Sequence, residues 1–234
     1  MAYENNKDDD CRGGCDVEYI EQRKAIIAMG RQMIAAGLAV GTWGNISCRV
    51  GADLIAITPS GVEYTSLQEQ DIVVMSLDGQ VVDGNLRPST EHPLHRQIYR
   101  DRPDVAAVVH SHSVYASAMA CARKPIPAAV EDLVQIVGGD VPVADYHLPG
   151  TQALATAVSA ALARRDGVLL ANHGVVGVGA TVAEALRVCA VIEKAAHIAI
   201  VAQAVGGVVE LEQADIDAMR SYYKKNYGQR GGEY

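Results

Sequence analysis

The chain has 234 residues, 49% of them hydrophobic, enough for one compact domain with a sizeable core. A net charge of −8 argues against a nucleic-acid partner, and no uninterrupted apolar run reaches the roughly 18 residues that a membrane span needs. Five scattered cysteines (Cys11, Cys15, Cys48, Cys121 and Cys189), with no signal peptide before them, are expected to be reduced thiols in the cytoplasm.

Residues 1–15, charged and glycine-containing, read as a mobile tail ahead of a single domain over 16–230. Cys11 and Cys15 in that tail lack the further ligands a metal site requires. From Val17 to Leu38 apolar residues recur at helical spacing, with Gly37 as the stop. A loop follows, then Ile46–Val50 and Asp53–Thr58 as a hairpin turning at Gly51. Ile72–Ser76 and Gln80–Val82 read as a second hairpin around Asp78-Gly79. Ser89 or Thr90 is placed to cap a helix that carries Pro93 in its first turn and runs to about Arg100.

The β-branched run Val105–Val109 reads as a buried strand, leading into His110 and His112. Side chains alternate across a strand, so these two imidazoles leave one face together. Ser113–Cys121 reads as a helix, broken at Pro125. Glu131–Val137 fits a short helix or a strand, Val141–Ala144 a strand and Gln152–Arg164 a helix. A second apolar run, Val168–Ala171, leads into Asn172, His173 and Gly174, with a strand continuing to Val178. Val182–Ala204 reads as one long helix with an excess of apolar residues, and Gln213–Tyr227 as the last helix. Helices and hairpins in this order predict an α/β fold: a three-layer α-β-α domain around a mixed, mostly antiparallel sheet.

Two strand ends bearing His110, His112 and His173 suit one divalent cation, zinc being the usual partner of histidine nitrogen. Glu91 could be a fourth ligand or a general base, or a surface glutamate favoured by the helix dipole. Three turns, Gly44-Asn45, Ser60-Gly61 and Ser89-Thr90, each offer backbone N–H groups with a short amide or hydroxyl, the kind of donors that cradle an anion. Of the other histidines, His92 and His95 stand beside Glu91 and can orient it, His147 lies in a loop that could border the site, and His197 falls inside the long helix.

The ordered segments GTWGNIS, ITPSG, RPSTEHPLH, VVHSH and NHG resemble the class II aldolase/adducin family, and within it the aldolases of fuculose-1-phosphate type. The likeness spans roughly residues 17 to 228. It implies zinc on His110, His112 and His173, with manganese, cobalt or iron(II) as substitutes, and a metal-adjacent catalytic glutamate at Glu91. It implies phosphate binding by Gly44, Asn45, Ser60, Gly61, Ser89 and Thr90, with Thr90 replacing a serine. Tyr227 matches a C-terminal tyrosine that reaches a neighbouring subunit's site, and the family's fourfold homotetramers place sites at subunit interfaces. The implied reaction is retro-aldol cleavage of a ketose 1-phosphate to dihydroxyacetone phosphate and an aldehyde.

The chain departs from the fuculose-phosphate type ahead of Gly138-Gly139, where Glu131 or Asp132 takes the place of a tyrosine. A 5-deoxypentulose or 5-methylthiopentulose 1-phosphate is thus expected as readily as fuculose 1-phosphate, with Glu131 or Tyr227 serving the aldehyde end. The rivals are a methylthioribulose-1-phosphate dehydratase, suggested by Glu131; a ribulose-phosphate 4-epimerase, which carries aspartate where Glu91 stands; and a non-enzymatic adducin-head-like binding module, which lacks the metal histidines.

Overall fold

A computed structural model describes residues 18–226. The expected N-terminal tail, Cys11, Cys15 and Tyr227 lie outside the described residues. Helix α1 (Ile20–Ala35) leads into the hairpin β1 (Asn45–Arg49) and β2 (Leu54–Ile57), then a second hairpin, β3 (Val73–Ser76) and β4 (Val81–Asp83). Helix α2 (His92–Asp101) precedes β5 (Ala107–Ser111). After α3 (Val114–Cys121) and α4 (Glu131–Val137) come β6 (Val143–Ala144), α5 (Gln152–Leu162), β7 (Gly167–Leu170) and β8 (Gly174–Gly179). The long α6 (Val182–Ala202) and α7 (Gln213–Asn226) close the described chain.

The strands form one sheet in the order β4-β3-β2-β1-β5-β8-β7-β6. Every pair is antiparallel except β6–β7. The sheet has a separate core on each face, so its central strands are apolar almost without interruption. Alternation sorts the side chains. Ala56, Val109, Leu169 and Val175 meet Ile26 and Met33 of α1, Ala116 of α3, Leu133 of α4 and Ile192 of α6. Their neighbours Ile55, Val108, Leu170 and Val176 turn the other way, onto Leu94 and Ile98 of α2 and Leu154 and Val158 of α5. This is the three-layer α-β-α arrangement with a mixed, mostly antiparallel sheet that the sequence predicts.

Several boundaries move. Neither Ser89 nor Thr90 is the N-cap of α2; Glu91 is, without a side-chain cap bond, and Ser89 Oγ accepts the Glu91 N–H instead at 3.3 Å. The strand expected from Val105 begins at Ala107 and takes in both His110 and Ser111. The strand expected over 141–144 is only Val143–Ala144, and the segment left open at Glu131 is helical. Val182–Val205 is long and apolar enough to cross a membrane by length and composition, although Glu184, Arg187, Glu193 and Lys194 interrupt it. Its inner face, including Ala185, Cys189, Ile192 and Ala196, covers β5 and β8 as part of the core.

Arg23 is a buried charge that the helical pattern does not single out. Its guanidinium bonds the carbonyls of Glu18 (2.8 Å), Glu69 (3.0 Å) and Ile72 and pairs with Asp83, tying α1 to the β3–β4 hairpin.

Candidate metal centre and active site

The site forms where β1, β5, the β7–β8 turn and the start of α2 meet. Asn45 and His110 face each other across the β1–β5 ladder, which brings the first donor turn beside the first histidine. His112 follows the end of β5, and its N–H donates to the Leu38 carbonyl at 3.1 Å. His173 sits in the tight turn between β7 and β8. Asn172 there has φ 55°, a left-handed conformation that asparagine tolerates better than most residues. Gly174 is required by closeness: a Cβ on it would stand 2.4 Å from the Ser111 carbonyl oxygen and 3.2 Å from both His110 and His112 rings.

The three imidazoles converge through their Nε2 atoms. His110 Nε2 lies 2.8 Å from His112 Nε2 and 3.3 Å from His173 Nε2. Glu91 closes the group, with Oε2 at 3.2 Å from His110 Nε2 and Oε1 at 3.6 Å from His173 Nε2. One donor atom from each of the four residues lies within 4.8 Å of all the others. His110 Nδ1 is 3.0 Å from the Val175 carbonyl. A carbonyl only accepts, so Nδ1 carries the proton and Nε2 offers a lone pair.

Burial holds the imidazoles neutral. The pKa of His110 is lowered to about 3, by burial first and then by His173. That of His112 is lowered to about 3 by burial, then by His110 and His173. His173 is lowered by burial against an opposing pull from Glu91. Lone pairs brought this close repel unless a cation lies among them, and Glu91 Oε1 is buried with no hydrogen-bond partner. A tetrahedral zinc with bonds of ~2.0–2.1 Å wants its ligand atoms ~3.3 Å apart. The donor set therefore fits a divalent metal of zinc type.

The cluster opens on a cleft of about 240 Å³. Gly44, Asn45, Ser60, Gly61, Ser89 and Thr90 all line it, together with Glu91, His112 and His173. Backbone bonds lock two of the donor turns together: Ser60 N–H to the Arg87 carbonyl and Ser89 N–H to the Thr58 carbonyl, each 2.9 Å. Gly44 has φ 81°, and a Cβ there would stand 2.7 Å from the His110 carbonyl oxygen, so a side chain would push the first turn off β5.

Other expected residues lie elsewhere. Glu131 is exposed at the start of α4 and does not line this cleft, and Asp132 pairs with Lys194 at 2.5 Å. His92 Nδ1 faces Arg96 at 3.2 Å, and His147 is exposed and does not line the cleft. His197 stacks on Tyr115 with centroids 3.9 Å apart. Trp43 and Pro149, not singled out from the sequence, join Pro59 in the apolar part of the cleft, and the Trp43 ring centroid stands 5.5 Å from that of His112.

Residues 24–200 match the family model described as Class II Aldolase and Adducin N-terminal domain. The chain is 36% identical over 211 residues to a 5-deoxy-D-ribulose 1-phosphate aldolase of Bacillus thuringiensis serovar kurstaki, covering 90% of this chain and 98% of that one. It is 37% identical over 178 residues to a 5-methylthioribulose-1-phosphate/5-deoxyribulose-1-phosphate aldolase of Rhodospirillum rubrum, covering 76% and 80% respectively. A solved L-fuculose 1-phosphate aldolase superposes with TM-score 0.84 at 35% identity, over 87% of this chain and 96% of the other.

Proposed function

The chain belongs to the class II aldolase/adducin family, as an enzyme of the class II aldehyde-lyase kind, and on that premise we propose that it cleaves a ketose 1-phosphate to dihydroxyacetone phosphate and an aldehyde. The observation that carries the reading is the four-residue donor set opening on a cleft lined by three donor turns. A binding module would have no need to keep all four donors converged.

When bound, a divalent cation, zinc first among the choices, supplies Lewis-acid stabilisation of negative charge developing on substrate oxygens. His110, His112, His173 and Glu91 would hold it. The turns at 44–45, 60–61 and 89–90 take the phosphate through the Ser60, Ser89 and Thr90 hydroxyls and through backbone N–H groups other than those of Ser60 and Ser89, which bond the Arg87 and Thr58 carbonyls. Cleavage takes the proton from the C4 hydroxyl, breaks C3–C4 and leaves the electron pair on the phosphate-bearing half. Glu91 returns a proton to C3.

The substrate proposed is a 5-deoxypentulose or 5-methylthiopentulose 1-phosphate. Two relatives carry such sugars in their names, and Trp43 and Pro149 offer apolar walls to a chain end without a hydroxyl. The second acid/base group, Glu131 or Tyr227, would reach the aldehyde end from a neighbouring subunit of a homotetramer. The exposed Ile198, Ile200 and Val201 on α6 support such assembly by giving it an apolar face to bury.

A product assay tests the reading. Zinc-loaded protein is incubated with 5-deoxyribulose 1-phosphate and with fuculose 1-phosphate, and dihydroxyacetone phosphate is followed by coupled reduction. Product formation that stops on chelation and returns with zinc supports the aldolase. Loss of water without cleavage would make it a dehydratase, and a 4-epimer would make it an epimerase.

A further inference from the structure

Behind Glu91 runs a line of buried polar side chains that the proposed chemistry leaves unused. Asn45 Nδ2 is 2.9 Å from Glu91 Oε2, and Asn45 Oδ1 is 2.5 Å from His95 Nε2. His95 Nδ1 is 2.6 Å from Ser47 Oγ, which is 2.8 Å from the Tyr99 hydroxyl. Ser47 and His95 are fully buried, and Tyr99, Asn45 and Glu91 are 1%, 4% and 7% exposed. Two periodicities build the line. Glu91, His95 and Tyr99 are four residues apart at the start and along one face of α2, and Asn45 and Ser47 are two apart on one face of β1.

The direction of every bond follows from the ends. A carboxylate only accepts, so Asn45 presents its NH₂ to Glu91 and its oxygen to His95. His95 therefore carries its proton on Nε2. A neutral imidazole has one such proton, so Nδ1 accepts from Ser47, and Ser47, its hydrogen spent, accepts from Tyr99. Burial holds His95 neutral, its pKa lowered to about 3, with His110 adding to the shift and Glu91 opposing it. Without the His95 donor the buried Asn45 oxygen would lose its partner, and the amide would be held by its bond to Glu91 alone.

We propose that His95 is a positioning residue: through the Asn45 amide, the Nε2–H of its imidazole fixes the Glu91 carboxylate in its place for proton transfer. The proposal rests on the reading of Glu91 as the group that moves the proton. Two measurements test it. The first needs no activity: nitrogen-15 spectra of the metal-free, unmodified protein report the His95 ring. The expected result is the Nε2–H tautomer, unchanged from about pH 8 to pH 5.5. The Nδ1–H tautomer, or a doubly protonated ring in that range, would overturn the proposal.

The second compares His95→Leu with His95→Gln, whose side-chain amide returns an N–H near the Nε2 position. Loss of such an outer hydrogen bond lowers kcat on the order of ten- to hundredfold. For His95→Leu that fall is expected with KM for the ketose phosphate and zinc content unchanged, and His95→Gln is expected to recover most of it. Full kcat in the leucine variant, or equal losses in two variants that both fold and bind zinc, would count against it. If the unmodified protein cleaves no ketose 1-phosphate, the aldolase reading fails, while the ring-nitrogen assignment still decides the relay.

Discussion

Asn45 and Glu91, 46 positions apart in the chain, share a buried hydrogen bond of 2.9 Å that couples the first strand to the start of α2. The same carboxylate stands 3.2 Å from His110 Nε2, so Glu91 is shared between a metal donor set and an amide that holds it. Glu91→Gln preserves shape and removes the acid/base group. Three histidines remain for the metal, so zinc content should stay near that of the unmodified protein while kcat falls by about 10²- to 10⁴-fold. Metal analysis beside the coupled assay checks both halves. Loss of zinc together with activity would mean that Glu91 acts chiefly as a ligand.

Three of the histidines make stability depend on pH. In the fold His95, His110 and His112 are each lowered to about 3, burial being the first cause in every case. Unfolded histidine titrates near ~6.5. Below that value the unfolded chain takes up protons that the folded chain refuses, so stability is complete above about pH 6.5 and declines as pH falls toward 3. The slope is at most about 1.4 kcal/mol per pH unit for each group. Thermal melts of chelator-treated protein should show Tm level from pH 8 to 7 and dropping between pH 6.5 and 5, before most carboxylates titrate. A flat Tm across that lower window would mean these imidazoles are already charged in the fold.

Much of this was legible in the sequence because it depends on local signals. Strand-end histidines, the donor turns and the apolar runs that become β5, β7 and β8 are marked by residue type and period, and the family resemblance assembles them. The caps were less legible. Ser89 is a good cap by type, yet its side chain is taken by the Glu91 N–H inside the donor turn, and the helix starts later. The relay was legible in principle: Glu91, His95 and Tyr99 at helical spacing face Asn45 and Ser47 at strand spacing. What one chain cannot display is that the two faces meet, because that pairing depends on long-range packing of α2 against the sheet. Arg23 was hidden for the same reason, since all its acceptors but the Glu18 carbonyl lie 46 to 60 positions away.

Arg23 gives a prediction independent of catalysis. Its guanidinium satisfies the carbonyls of Glu18, Glu69 and Ile72 and pairs with Asp83, and the residue is 1% exposed. Arg23→Leu strands the buried Ile72 carbonyl and breaks three part-buried bonds, and should cost about 3 kcal/mol of stability. Urea titration would show a lower midpoint with the slope unchanged. Zinc content and kcat of the folded fraction should hold, because the clamp joins α1 to the β3–β4 hairpin and none of its groups lines the cleft.

Trp43 offers the sharpest test of substrate class. It is the chain's one tryptophan, it lines the cleft beside His112, and it is 65% exposed, so its removal should leave Tm almost unchanged. If the indole covers the deoxy or methylthio end of the sugar, losing that contact is worth roughly 1.4 kcal/mol, about tenfold. Trp43→Ala should then raise KM for 5-deoxyribulose 1-phosphate about tenfold with kcat nearly unchanged, and shift it far less for a substrate hydroxylated at that end. Because no second indole contributes, emission from the unmodified protein should move to shorter wavelength when the deoxy substrate binds and covers the ring. Equal KM shifts for both sugars would place Trp43 over the shared phosphate half and remove the apolar-end argument.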